Sequence, residues 1–210
     1  MTGTIGRNDS NLAHGVARHN LDTDSGADFM LNLMRLTYRK DNISVKEIDR
    51  LISKEYAPFL VYCVVSRANG SRAKAGWWFL FPSKNKESCG LFALKLYKAR
   101  VQLIPLPIYV STHCLARTHQ RTTNNSDLAQ VVAVLRNHLM AIILKPEKVA
   151  MAFASGEMIT YAKEGKVIWT ADSEDSEMIA TTWVSSELYG KEDLEMARQL
   201  TKADQIGVCV

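Results

Sequence analysis

Residues 101–121 read VQLIPLPIYVSTHCLARTHQR: an apolar run that passes through two prolines, then a polar stretch with no helix breaker. The change from extended to helical patterning places a strand-to-helix junction near Ser111-Thr112. Pro105 and Pro107 each lack the N–H that a sheet ladder needs. Val101–Tyr109 is therefore expected at a sheet edge, or as a connector, rather than as a central strand. Ser111 and Thr112 are good N-caps, so His113–Arg121 is expected to form about two helical turns. His113, Arg117 and Arg121 are spaced by four. At 3.6 residues per turn each is rotated only about 40° from the last, which puts all three on one face.

Three β-rich runs precede this junction, Phe59–Val65, Gly76–Phe81 and Cys89–Tyr97, punctuated by Asn69-Gly70 and by residues 84–88. Their aromatic and β-branched content favours an antiparallel meander. Trp77, Trp78, Phe79 and Phe81 read first as the core of one sheet face. With Arg67, Arg72 and Lys74 in the adjoining turn, they could instead form a stacking and phosphate-binding surface for single-stranded nucleic acid. Further upstream, apolar residues from Asp28 onward follow a helical period. Ser44 with Glu47 then forms a capping box for a second helix whose buried stripe is Ile48, Leu51 and Ile52. Residues 1–25 have no apolar period and read as a flexible tail, with His14 and His19 solvated in it.

Downstream, a helix is expected from Asn125-Ser126 to Leu144, with Pro146 marking its end. His138 on that helix reads as a surface residue. Val149–Ala154, Met158–Ala162, Lys166–Thr170 and Ile179–Val184 read as strands, with Ser155-Gly156 and Glu164-Gly165 as hairpin turns and Asp172–Glu177 as an acidic loop. A charged helix over Glu187–Lys202 closes the chain. The expected fold class is α+β: a helical hairpin, an antiparallel meander, then a two-helix plus antiparallel-sheet unit. The organisation follows as tail (1–25), hairpin plus meander (26–100) and a second α+β unit (101–210), with the last two able to form one compact domain.

The chain has 210 residues, 47% hydrophobic and 23% charged, enough to form a core without disulfide or metal. Cys63, Cys89, Cys114 and Cys209 show neither CxxC spacing nor a Cys/His ligand pattern, so no metal is expected and a reducing cytoplasm is the expected setting. Apolar runs such as Leu139–Leu144 fall far short of the roughly 20 residues that span a bilayer, and no membrane partner is expected. The polar start lacks the pattern of a signal peptide. The net charge of +4 conceals a division. Residues 1–150 carry 21 Lys+Arg against 11 Asp+Glu, and residues 151–210 carry 5 against 11. The basic part could attract a phosphate backbone.

A histidine and two arginines on one helix face suit phosphoryl chemistry. Imidazole exchanges a proton near neutral pH, and guanidinium holds phosphate oxygens bidentately. RNA can be cleaved without metal or other cofactor when its own 2′-hydroxyl is the nucleophile, given proton transfer and cations to stabilise the phosphorane. A thiol at Cys114 beside such groups could be a low-pKa nucleophile, but no cysteine-hydrolase context surrounds it. His119, about 240° round the helix from His113, reads as structural or solvated.

The run Val110–Arg121, followed by a helix and by strands ending Ala180-Thr181-Thr182-Trp183-Val184, resembles small bacterial proteins in which a His-x-x-x-Arg-x-x-x-Arg helix precedes a β-meander. Those proteins are similar to the barnase, colicin and RelE group of metal-independent ribonucleases, many of them toxins. The resemblance covers about residues 108–186. Cys114 follows the histidine where the family usually has Ala, and Thr182-Trp183-Val184 stands where it commonly has Thr-Val-Tyr. The resemblance implies His113 as acid or base, Arg117 and Arg121 as grips on the scissile phosphate, and Thr181 or Thr182 as a strand hydroxyl at the site. Trp183 would stack on a base or fill the sheet core. The implied partners are RNA and, for a toxin, a cognate inhibitor protein. The alternatives are a non-catalytic nucleic-acid binder, using the basic part and the tryptophan-rich meander, and a protein-interaction module such as a phage or plasmid accessory factor.

Overall fold

The computed structural model describes residues 31–32, 35, 38, 44–55, 60–66, 74–82, 88–97, 100–122 and 128–204. The expected tail with His14 and His19, most of the first expected helix, and the turn carrying Arg67 and Arg72 lie outside these residues. A helix α1 (Val45–Glu55) opens on Ser44, whose Oγ accepts from the Glu47 N–H at 3.2 Å, as the capping box requires. Four strands follow: β1 (Leu60–Ser66), β2 (Lys74–Pro82), β3 (Ser88–Tyr97) and β4 (Arg100–Ser111). Then come α2 (Thr112–Thr122), α3 (Leu128–Leu144), α4 (Pro146–Ser155), β5 (Glu157–Tyr161), β6 (Gly165–Asp172), β7 (Glu177–Ser185), a 3₁₀ turn (Ser186–Leu188) and α5 (Lys191–Asp204).

All seven strands join one sheet in the order β1-β2-β3-β4-β7-β6-β5, antiparallel except for the β4–β7 pair. The chain is thus a mixed α+β protein with a mostly antiparallel sheet. Helices bury both faces of the β1–β4 half. On one face α1 supplies Ile48 and Ile52 to Trp77, Phe79, Phe81 and Leu94. On the other, α2, α3 and α4 pack over Leu80, Leu91 and Val110 and continue across β6 and β7 onto Trp169 and Trp183. This two-sided burial explains the GWWFLF run of β2. Alternate residues face opposite cores, so Trp77, Phe79 and Phe81 lie in one, and Leu80 and half-buried Trp78 in the other. The aromatic cluster is core, and Trp77 Nε1 donates to Asp49 on α1 at 2.9 Å.

Three expectations about elements are corrected. The proline-bearing run is a central strand, β4, rather than an edge or connector. Its proline segment is nevertheless locally an edge, because β7 pairs only with Ile108–Val110. A register shift between Gly90 and Phe92 takes up the residues around exposed Pro107. The missing N–H groups therefore cost no ladder bond on the β7 side. Val149–Ala154, expected as a strand, is the middle of α4. Pro146 ends α3 and, at the first turn of α4, starts the next helix, where its missing N–H is harmless. The alanine-rich sequence then favours helix. Gly156 closes it in the left-handed conformation (φ 78°), donating to the Ala152 carbonyl at 2.8 Å, so Ser155-Gly156 is a helix cap and not a hairpin turn.

His138 is also corrected, from surface to core. It lies three residues after Leu135 and four before Ile142, on the apolar stripe of α3 itself, and is fully buried. Trp169 Nε1 donates to Thr160 Oγ1 at 2.8 Å, and that hydroxyl lies 2.9 Å from His138 Nδ1. Nε2 has no partner among the described residues. The neutral Nδ1–H tautomer donates to Thr160 Oγ1 and leaves no N–H unpaired, whereas an imidazolium would strand its Nε2–H in an apolar core. Burial accordingly pushes the His138 pKa down to about 4, against a smaller opposing effect of Thr160. The folded state therefore binds this proton less readily than the unfolded chain. The associated stability is complete above about pH 6.5 and is lost as the pH falls toward 4.

Acid titration of thermal unfolding should show this loss, reaching about 3 kcal/mol by pH 4 from His138 alone. A His138→Gln protein should have a flatter profile over that window, and an unchanged slope would assign the acid sensitivity elsewhere. Gly165 provides a steric check. A Cβ there would sit 2.6 Å from the Trp183 ring and collide with the Val184 carbonyl. Gly165→Ala should cost about 1–3 kcal/mol in chemical denaturation.

Candidate functional site

The geometry of α2 follows from how β4 and β7 part. Beyond Val110 and Ala180 the two strands no longer pair, and α2 turns off the end of β4 to lie against the remainder of β7. Ser111 serves both elements: its Oγ accepts from the Cys114 N–H at 3.1 Å, capping α2, and donates to the Thr181 carbonyl at 3.2 Å. At the other end of the helix Arg121 Nη1 donates to the Trp183 carbonyl at 3.2 Å. Side chains of the junction and of α2 thus occupy carbonyls of β7 where no strand does.

Thr112, Cys114, Leu115, Ala116 and Thr118 are buried, with Thr118 Oγ1 donating to the Cys114 carbonyl at 2.9 Å. Toward solvent lie exposed His113 and then half-buried Arg117, Gln120 and Arg121, while His119, also half-buried, sits off that stripe. The expected His113–Arg117–Arg121 face is therefore real. Gln120 joins it, its Oε1 accepting from Arg117 Nη1 at 3.3 Å. Its place seven residues after His113 was the available sequence signal. Partial burial, and secondarily the charge of Arg117, lower the pKa of Arg121.

The structure does not bring the strand hydroxyls to this stripe. A register shift in the β6–β7 pairing sets Ile168 opposite Thr182 and Trp169 opposite Ala180, leaving Thr181 as the extra residue of a bulge. The Thr181 hydroxyl donates to the Ile168 carbonyl at 3.1 Å, toward β6 and away from α2. Thr182 shares with Ile168 the sheet face opposite Trp169. Trp183 is 1% exposed, with its ring against Gly165, and is core rather than a stacking surface. Lys74 begins β2, and Arg67 and Arg72 lie outside the described residues. Cys114 is fully buried, which pushes its thiol up to about 12 and excludes it as a nucleophile near neutral pH.

The acidic tip of the β6–β7 hairpin, Asp172 to Glu177, lies at the start of β7. Four to six residues of extended strand separate Glu177 from Thr181 and Trp183, roughly 13–20 Å at 3.3 Å per residue. Asp193 of α5 is likewise engaged elsewhere, accepting from Lys166 and, at 3.0 Å, from Tyr161 Oη, contacts that hold its carboxyl below the usual carboxylate range. Compared with known proteins, the chain matches no family model, no curated protein and no solved structure.

Arg121 and Arg117 should separate on substitution. Arg121→Ala removes the donor to the Trp183 carbonyl and should cost about 1–3 kcal/mol, whereas Arg117→Ala, whose side chain donates to Gln120 on its own helix, should stay within about 0.5 kcal/mol. Equal losses in thermal unfolding would show that the Arg121 bond does not hold α2 to β7.

Proposed function

We propose that the chain is a metal-independent endoribonuclease whose site is the solvent-facing stripe of α2, in a ribonuclease-like unit formed by that helix, α3 and the β5–β7 strands. The observation that carries this reading is the shared face of His113, Arg117 and Arg121, two cations and one proton carrier within two helical turns. A scissile phosphate between Arg117 and Arg121 would receive charge-assisted hydrogen bonds that strengthen as its oxygens gain charge in the phosphorane.

His113 takes the proton of the neighbouring 2′-hydroxyl as the 2′-oxygen bonds to phosphorus. The imidazolium then returns that proton to the 5′-oxygen as its bond to phosphorus breaks. The products are a 2′,3′-cyclic phosphate and a 5′-hydroxyl end, and the histidine leaves the cycle neutral. No strand hydroxyl takes part, since that of Thr181 is committed to β6. The partners on this reading are RNA and, if the enzyme is a toxin, an inhibitor that lays acidic groups over the α2 stripe.

The test is incubation of the purified protein with RNA in EDTA. Fragments with 2′,3′-cyclic phosphate ends are expected. His113→Ala should slow cleavage by about 10²–10⁴-fold, and Arg117→Ala by about 10²-fold, both with native unfolding curves. Intact RNA across pH and salt would refute the enzyme. Salt-sensitive RNA binding without cleavage, retained in His113→Ala, would instead identify a nucleic-acid binder.

A further inference from the structure

The last helix, α5, is held to the molecule differently from those before it. Helix α3 buries Val131, Val132, Leu135, Leu139 and Ile142, whereas no side chain of α5 from Lys191 to Gln199 belongs to either hydrophobic core. Only Asp193 and Ala197 of that stretch are half-buried, one turn apart. The rest is exposed, with Leu194 at 43% and Met196 at 46%. A helix that buries so little apolar surface owes its place to polar contacts, and each of these is worth little where water reaches it.

Those contacts meet at one carboxylate. Asp193 Oδ1 accepts from Lys166 Nζ and, at 3.0 Å, from Tyr161 Oη. Tyr161 on β5 and Lys166 on β6 lie directly opposite each other in the sheet register, so a single side chain of α5 grips a cross-strand pair. Asp193 Oδ2 also accepts from the Gly190 N–H at 3.4 Å, as the third helical residue does in a capping box, which ties the helix start to the same point. Tyr189 completes the cluster. Its ring stands edge to Tyr161 at 6.0 Å between centroids, and Lys166 Nζ lies 5.9 Å from its centre. Its Oη, however, is buried without a hydrogen-bond partner. That hydroxyl opposes docking, because water satisfies it once α5 leaves.

We propose that α5 is a detachable latch pinned by Asp193: it leaves the sheet as a unit while β6 and α3 stay folded, and its departure uncovers Tyr161, Lys166 and Tyr189. Closed, the Lys166 charge is neutralised within the cluster. Open, the same strip of β5 and β6 presents an ammonium and two phenols to solvent. Segments with few buried apolar contacts occupy the low end of local stability, whereas β6, which buries Val167 and Trp169, opens with the whole fold. None of these residues belongs to the α2 stripe, so the latch stands whether or not that stripe cleaves RNA.

Amide hydrogen exchange of the full chain, read residue by residue by NMR, is the test. Amides of Glu195–Gln199 should exchange at least about 100-fold faster than those of Val167–Trp169, yet more slowly than in an unstructured peptide. Asp193→Ala should speed the α5 amides by about tenfold or more and leave those of β6 unchanged. Asp193→Asn, which keeps the shape and one acceptor oxygen but loses the charge, is the second variant should the alanine protein not fold, with a smaller acceleration confined to α5. Tyr189→Phe removes the unpartnered hydroxyl and should act in the opposite sense, slowing α5 by about threefold. Wild-type α5 amides as protected as those of β6 overturn the proposal, and so do α5 amides with no protection at all. An acceleration in the Asp193 variants that β6 shares equally also overturns it, since Asp193 would then hold the whole fold. So does a Tyr189→Phe protein whose α5 is not slowed.

Discussion

The parting of β4 from β7 is the constraint on which the rest of this structure turns. The two strands pair over three residues and then separate, and β7 continues to Ser185 with carbonyls that β4 no longer reaches. Burying such groups unpaired would cost on the order of 1–3 kcal/mol each. The chain meets this by sending α2 along the gap, with Ser111 and Arg121 donating to Thr181 and Trp183. The same placement decides which face of α2 is buried and hence which residues it turns to solvent. Arg121 is thereby both a tie to the sheet and half of the cationic pair, so the site and the fold share a residue.

A second consequence concerns charge. The strands after α4 belong to the acidic part of the chain, yet β7 lies directly against the basic helix. The conflict is relieved by distance along the strand. Asp172 to Glu177 occupy the hairpin tip at the far end of β7, and Asp193 is tied to Lys166 and Tyr161 beside β5. The tip lies roughly 13–20 Å along β7 from Thr181 and Trp183, beyond the Debye length of about 8 Å at physiological salt, so its repulsion of an anion at α2 is weakened.

Several features were legible from local rules, and each lapse has a local cause. The Ser44 and Ser111 caps, the meander strands and the His113–Arg117–Arg121 face follow from capping chemistry and period, and they stand in the structure at those positions. Val149–Ala154 misled because a short apolar run fits strand or helix equally by pattern, and the Pro146 and Gly156 that bracket it are helix signals as well as turn signals. His138 misled because Arg136 and Asn137 beside it are polar, whereas helical spacing puts it on the face of Leu135 and Ile142 rather than opposite that face. Pro105 and Pro107 misled because they sit in a central strand, in the stretch that β7 does not pair with.

By itself, then, the sequence determined the elements whose cause lies within a few residues: caps, turns, the period of each strand and helix, and the angular grouping of the histidine and two arginines. Tertiary structure decided everything that depends on who lies opposite. It placed β4 at the centre of the sheet, put Thr160 and Trp169 against His138, and turned the Thr181 hydroxyl toward β6 through a bulge. It also left the outer side of β1 without a partner among the described strands. These outcomes rest on pairings between residues from nine to seventy positions apart in the chain, which no local pattern encodes.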